Sequence, residues 1–172
     1  MQNVFSNILT IEDMGNGHKN YVLEASEQQM QYIAEILKLE KIKSFKALMD
    51  VNLQRKAHKI EINGKIQATV LQTSVISLEK FDNHYQTEFS RHFDTELTPV
   101  QLKEMEFDFD EDEPEIIDNG QIDLAAIAME ELALIIDDFP RKKGEIFKFE
   151  SEFDEETSQK NNPFAALAKL KK

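Results

Sequence analysis

Between Phe45 and Val70 the apolar side chains fall on alternate positions, a period that suits half-buried strands and no helix. Phe45, Ala47, Met49, Val51 and Leu53 alternate with mostly polar neighbours, Ile60 and Ile62 resume the pattern, and Ile66, Ala68 and Val70 continue it. Each strand is therefore expected to bury one face and wet the other. Asn63-Gly64 predicts a tight hairpin turn, because that pair tolerates the positive φ such turns require. Tyr85, Thr87 and Phe89 predict a further strand, so the middle of the chain reads as an antiparallel meander of about four strands. Around Leu71 the parity slips, and Val75, Ile76 and Leu78 no longer share a face, which predicts a bulge or a strand buried on both sides.

Helical spacing flanks this region. Ser26 and Gln29 fit a capping box, and Met30, Ile33, Ala34 and Leu37 follow at i, i+3, i+4 and i+7, predicting a helix over residues 26–40. Upstream, residues 8–11 and 21–23 predict two short strands about the turn Met14-Gly15-Asn16-Gly17. Downstream, Asp118-Asn119-Gly120 predicts a turn and Asp123 an N-cap, with Ile122 and Ile127 placed as a hydrophobic staple. Leu124, Ile127, Ala128, Leu132 and Ile135 form the stripe of a second helix that ends before Pro140. The expected fold class is α+β: an antiparallel sheet packed by two main helices, with an acidic connector and a flexible C-terminal tail. Residues 1–148 read as one domain containing the acidic segment 104–118, and residues 149–172 as the tail.

Charge narrows the function. The chain has 172 residues, 33 acidic and 20 basic, for a formal net charge of −13. Such a balance opposes nonspecific nucleic-acid binding, which needs a basic surface, and favours a basic protein partner or a small basic patch on an acidic body. No cysteine is present, which excludes disulfides, thiolate zinc and a cysteine nucleophile. The first basic residue, Lys19, follows Glu12 and Asp13, unlike a secretory leader, and the charge-free stretch 66–78 is too short and polar to span a bilayer. A soluble, cytoplasmic protein is expected.

The catalytic motifs are missing from the sequence. With five glycines it holds neither common phosphate-binding loop, and it has no GxSxG and no HExxH. His84 and His92 share a strand face but sit about 26 Å apart when extended, so they are read as surface histidines rather than metal ligands. Counting an EF-hand loop from Asp108 puts Glu113 where glycine is needed and Asn119 where glutamate is needed, so the loop fails. No enzyme activity, metal or cofactor is expected.

Two charged segments and the tail remain as candidate contact sites. Residues 104–118 hold nine carboxylates and no base, with Met105, Phe107 and Phe109 alternating among them, so the segment reads as edge strand or solvated loop. Asp108, Asp110, Asp112 and Glu113 are its expected contacts with a basic protein. Arg141, Lys142 and Lys143 either complement the dipole of the second helix or contact phosphate. In the tail, Asn162 and Pro163 open a short helix with Phe164 and Leu167 on one face and Lys169, Lys171 and Lys172 adding charge; it is read as a docking element or as a frayed end.

Three segments resemble the bacterial YceD family, described as large ribosomal RNA subunit accumulation proteins. Gln72-Thr73-Ser74-Val75-Ile76-Ser77-Leu78-Glu79 is similar to the family's Q-[TR]-C-V-x-[ST]-L-E. Asp118-Asn119-Gly120-Gln121-Ile122-Asp123-Leu124, followed by Glu131-Leu132-Ala133-Leu134, is similar to its D-x-x-x-I-D-L and E-x-L-x-L signatures. Asn162-Pro163-Phe164-Ala165-Ala166-Leu167 looks like its N-P-F-[AS]-x-L ending. The resemblance implies a role in producing or stabilising large-subunit (23S) ribosomal RNA, with no established catalytic residues. It also implies contact with precursor ribosomal RNA or with a basic large-subunit ribosomal protein, since members are often encoded beside one. Ser74 stands where many members carry cysteine, and Pro140-Arg141-Lys142-Lys143-Gly144 replaces later cysteines, so no thiol-based role transfers. Against this assembly-factor reading stand two others, a general acidic interaction module and a metal-dependent hydrolase with dispersed carboxylates.

Overall fold

Ser26 caps its helix as the spacing predicts. The Gln29 N–H donates to the Ser26 hydroxyl and the Ser26 N–H donates to the Gln29 side chain at 2.9 Å, closing the capping box. In the computed structural model, which describes residues 4–104 and 114–147, this box opens α1 (Glu27–Ile36). The helix stops short of residue 40 because Lys38 turns left-handed at φ 54° and the Leu39 N–H returns to the Ala34 carbonyl, a Schellman ending.

The alternating region forms long strands: β3 (Lys41–Gln54), β4 (Lys59–Thr73) and β5 (Lys80–Asp94). With β2 (Gly17–Glu24) and a two-residue β6 (Glu115–Ile116) they build a five-stranded sheet in the order β2-β3-β4-β5-β6. All pairs are antiparallel except β5–β6, where Phe93 meets Glu115 and Asp94 meets Ile116 in parallel. The fold is α+β, with α1 packed on β3 and α3 (Leu124–Ile135) on β4 and β5. The predicted alternation holds, since Phe45, Ala47, Met49, Val51 and Leu53 and, on β4, Ile60, Ile62, Ile66, Ala68 and Val70 are all buried. A second pair, β1 (Ile8–Thr10) with β7 (Gln121–Asp123), is antiparallel.

Several expectations are corrected. Asn63-Gly64 is no turn: both residues lie inside β4, with Gly64 between Met49 on β3 and Phe89 on β5. The chain reverses instead at Arg55–Ala57 and His58, whose φ of 54° supplies the left-handed step. A Cβ on Gly64 would come within 2.2 Å of Phe89 Cζ, so the glycine lets an aromatic ring lie across the strand. The strands at residues 8–11 and 21–23 do not pair with each other, because β1 joins β7 and β2 joins β3. Asn16 serves as an acceptor for the Arg55 N–H at 3.1 Å. Nor does parity slip in β4, where Gln72 keeps the inward phase and is buried. The chain leaves the strand at Thr73, and the pairing irregularity lies on β3 between Ile42 and Ser44.

A further short helix, α2 (Pro99–Glu104), lies beyond the two expected ones; Thr98 and Gln101 exchange hydrogen bonds in a second box, with the Thr98 N–H donating to Gln101 Oε1 at 3.0 Å. Near its end the acidic run contributes β6, the edge strand of the sheet among the described residues; its residues 105–113, with Asp108, Asp110, Asp112 and Glu113, lie outside the described residues. Pro163, Phe164, Leu167, Lys169 and Lys171 do so too. The chain separates into two units, Met1–Lys142 and Lys143–Lys172. Of the second, residues 143–147 are described, and they turn at Gly144 with φ 91°.

The segment Ile122-Asp123-Leu124 ties the N-terminal strand to the start of α3. Asp123 caps α3 as predicted, accepting from Ala125 N at 3.0 Å, and also receives Asn7 N at 2.8 Å and Ser6 Oγ at 2.7 Å. Ile122 and Leu124 are buried on either side of it, and Ile127 is buried with them. Asp123→Ala is expected to lower stability by about 1.5 kcal/mol, and Asp123→Asn by less, because asparagine still caps. Equal urea midpoints for Asp123→Ala and the parent would show that the carboxylate holds nothing.

Candidate functional site

Gln72 closes β4 with its side chain buried, and a buried amide requires partners. Its Oε1 accepts from Tyr85 OH at 2.7 Å and from Asn83 Nδ2 at 3.0 Å, both on β5. Its Nε2 donates to the Asp137 carbonyl at 3.3 Å, and the Asp137 N–H donates to Tyr85 OH at 3.2 Å. One polar network thus ties the end of the sheet to the segment leaving α3.

The next residues form a closed turn. Ser74 is fully buried, and its hydroxyl accepts the N–H groups of Ile76 at 3.1 Å and Ser77 at 3.3 Å. The Ser74 hydroxyl thus satisfies two backbone N–H groups of its own turn. The backbone closes the loop as Ser74 N donates to Glu79 O at 2.9 Å and Leu78 N to Ser74 O at 3.0 Å. Leu78 pays with a left-handed φ of 59° and holds its side chain 77% exposed.

Residues 137–142 dock beside this turn. Val75 N donates to the Pro140 carbonyl at 2.9 Å, and Lys142 pairs with Glu79. Phe139, whose N–H donates to Asp137 Oδ1 at 2.9 Å, stands 68% exposed, and Arg141 is exposed as well. This corrects the dipole reading of the basic cluster: α3 ends at Ile135, its last turn holds no base, and a bent five-residue segment separates it from Arg141. Lys142 belongs to the Glu79 ion pair, and Lys143 opens the second unit. The corner therefore unites Gln72, Leu78 and Glu79 with Lys142, while Gly120, Ile122, Asp123 and Leu124 form the separate β7–α3 junction.

A second polar assembly escaped the sequence reading. Arg91 on β5 donates from Nε to Glu131 at 2.7 Å, from Nη1 to Glu115 at 2.7 Å and from Nη2 to Glu130 at 3.1 Å. Burial works against its charge, but the hydrogen bonds to Glu115 and Glu131 outweigh that and raise its pKa above the usual arginine range. Glu131 is the acidic residue of Glu131-Leu132-Ala133-Leu134, in which Leu132 is buried and Leu134 exposed. No short spacing signals this clamp, since its partners lie 24 to 40 positions from Arg91.

Among the described residues, no group of three or more histidines, aspartates or glutamates is placed to hold a metal ion. His84 Nδ1 lies 3.0 Å from Thr69 Oγ1, and His92 lies further along the same exposed side of β5. Among the described residues no helix is long and apolar enough to cross a membrane.

The family model "Large ribosomal RNA subunit accumulation protein YceD" matches residues 62–171, a range that takes in the Gln72 corner, the Arg91 clamp and the Asp123 cap. No curated protein and no solved structure matches the chain.

Proposed function

Because the chain belongs to the YceD family of large ribosomal RNA subunit accumulation proteins, we propose that it supports accumulation of that RNA as a non-catalytic assembly factor. The corner formed by residues 72–79 and 137–142 is its contact surface, and the target is precursor large-subunit RNA or a basic large-subunit ribosomal protein. One observation carries this reading. Inside the family-matched range, two distant segments are pinned together by Gln72, Tyr85 and Val75, and the assembly holds Leu78 and Phe139 in solvent. A rigid support for exposed apolar side chains favours binding, since little further ordering is needed when a partner arrives. Arg141 adds a cation beside them, and Asp108, Asp110, Asp112 and Glu113 meet the basic partner.

Gradient sedimentation of cell extract tests it. The parent protein is expected to migrate with large-subunit precursors, and the double variant Leu78→Asp with Phe139→Asp to stay at the top while melting at the parent's temperature. A variant that still migrates with the precursors removes the corner from the reading. A parent that never does so leaves the general acidic module as the better account.

A further inference from the structure

A groove of about 660 Å³ runs between α1 and the start of β3, in a part of the chain that the family match does not reach. Its floor is apolar. Ala34 and Ile42 are buried there, and Met30 and Leu39 are half-buried. The Schellman turn at Lys38 explains the space, because α1 ends after ten residues and the chain swings away into β3. Methionine on such a floor adapts its shape to an incoming side chain.

The two walls differ in charge. On the α1 wall stand Glu27 and Glu35, neither with a basic partner among the described residues, about 12 Å apart along the helix. On the β3 wall Lys43 is paired with Asp82, and neighbouring Glu40 with Lys80, while Lys41 has no ion-pair partner among the described residues. A ligand that fits must bring an apolar ridge for the floor and two cations spaced about two helical turns apart for the α1 wall. The net charge of −13 attracts the same kind of ligand from a distance.

We propose that this groove docks a basic amphipathic helix of a partner protein, apolar ridge down and Lys/Arg flank against Glu27 and Glu35. The inference extends the reading of a basic protein partner, and its test needs neither RNA nor ribosomes, so the two fail separately. The probe is a synthetic amphipathic helix of leucine and lysine, with a leucine–glutamate helix of the same pattern beside it. Both are titrated into the full-length ¹⁵N-labelled protein at near-physiological salt, and affinity is read by anisotropy of the labelled peptide. Amide shifts are expected to concentrate in residues 27–43 for the lysine peptide alone. Glu27→Lys with Glu35→Lys should weaken binding about tenfold, and Met30→Gln should weaken it as well. Glu24→Lys with Glu61→Lys, an equal change in net charge on β2 and β4, should leave affinity nearly unchanged.

Four results overturn the proposal. In one, both charge-reversed pairs weaken binding equally, so that attraction follows net charge alone. In another, the shifts map to the Gln72 corner or the open sheet face. In the third, the glutamate peptide binds as well as the lysine peptide. In the last, sedimentation equilibrium shows self-association that shifts residues 27–43 without peptide, which makes a second copy the occupant.

Discussion

Arg91→Met is expected to destabilise the protein by about 3 kcal/mol, read as a lower urea midpoint at an unchanged slope. The Arg91 side chain is 21% exposed and its guanidinium reaches three carboxylates on two elements, so its loss strands Glu131, whose side chain is only 12% exposed, beside Glu115. Glu130, more than half exposed, contributes little to that figure. Arg91→Lys should recover only part of the loss, because an ammonium cannot present three donors in the directions of a planar fork. Adding Glu115→Gln and Glu131→Gln to Arg91→Met should restore much of it by removing the uncompensated charge. The folded-state pKa of Arg91 is raised, so its contribution persists up to the unfolded value and fades only as pH passes the folded one. Both lie above ordinary working pH, and no alkaline loss is expected from this residue. A destabilisation of Arg91→Met below about 0.5 kcal/mol would mean that β5, β6 and α3 hold together without the clamp.

Gly64→Val should cost about 2–3 kcal/mol, through steric overlap with the Phe89 ring rather than through backbone strain. The two origins separate in a double-mutant cycle. If the ring is responsible, Gly64→Ala is costly with Phe89 present and nearly neutral with Phe89→Ala, giving a coupling of about 1 kcal/mol. Additive losses would return the glycine to a conformational role. Filling the site is harmful because Met49, Gly64 and Phe89 form one cross-strand row, and the ring occupies the space a Cβ would take.

That glycine marks the boundary of what the sequence discloses. Ser26 with Gln29, and Asp123 with Ala125, were legible because cap and partner lie two or three positions apart. The strand phases were legible because burial follows parity along each strand. Asn63-Gly64 misled because glycine permits positive φ but equally permits a close ring, and only the neighbouring strand decides which. The actual reversal, at Arg55–Ala57 and His58, carries no glycine at its left-handed position. At the candidate corner the segment 72–79 was recognised, yet its partner was not, since Gln72 and Asp137 are 65 positions apart and their bond runs to a backbone carbonyl of no particular sequence. Val75 and Pro140 meet through backbone in the same way.

The β1–β7 pair has a consequence for how the chain is made. Asn7 waits for Asp123, 116 positions later, whereas β2, β3, β4 and β5 each pair with the next strand in order. At about 5–20 residues per second, the meander can zip up as it leaves the ribosome while β1 stays without its partner strand for roughly 6–23 s. Leu9, which faces Ile122 across that pair, is thus left open until synthesis is nearly complete, whereas Phe5 has its ring partner Phe45 on β3 much earlier. A nascent chain halted before residue 120 should present a folded sheet and a protease-sensitive N-terminus, and release past α3 should close both ends at once.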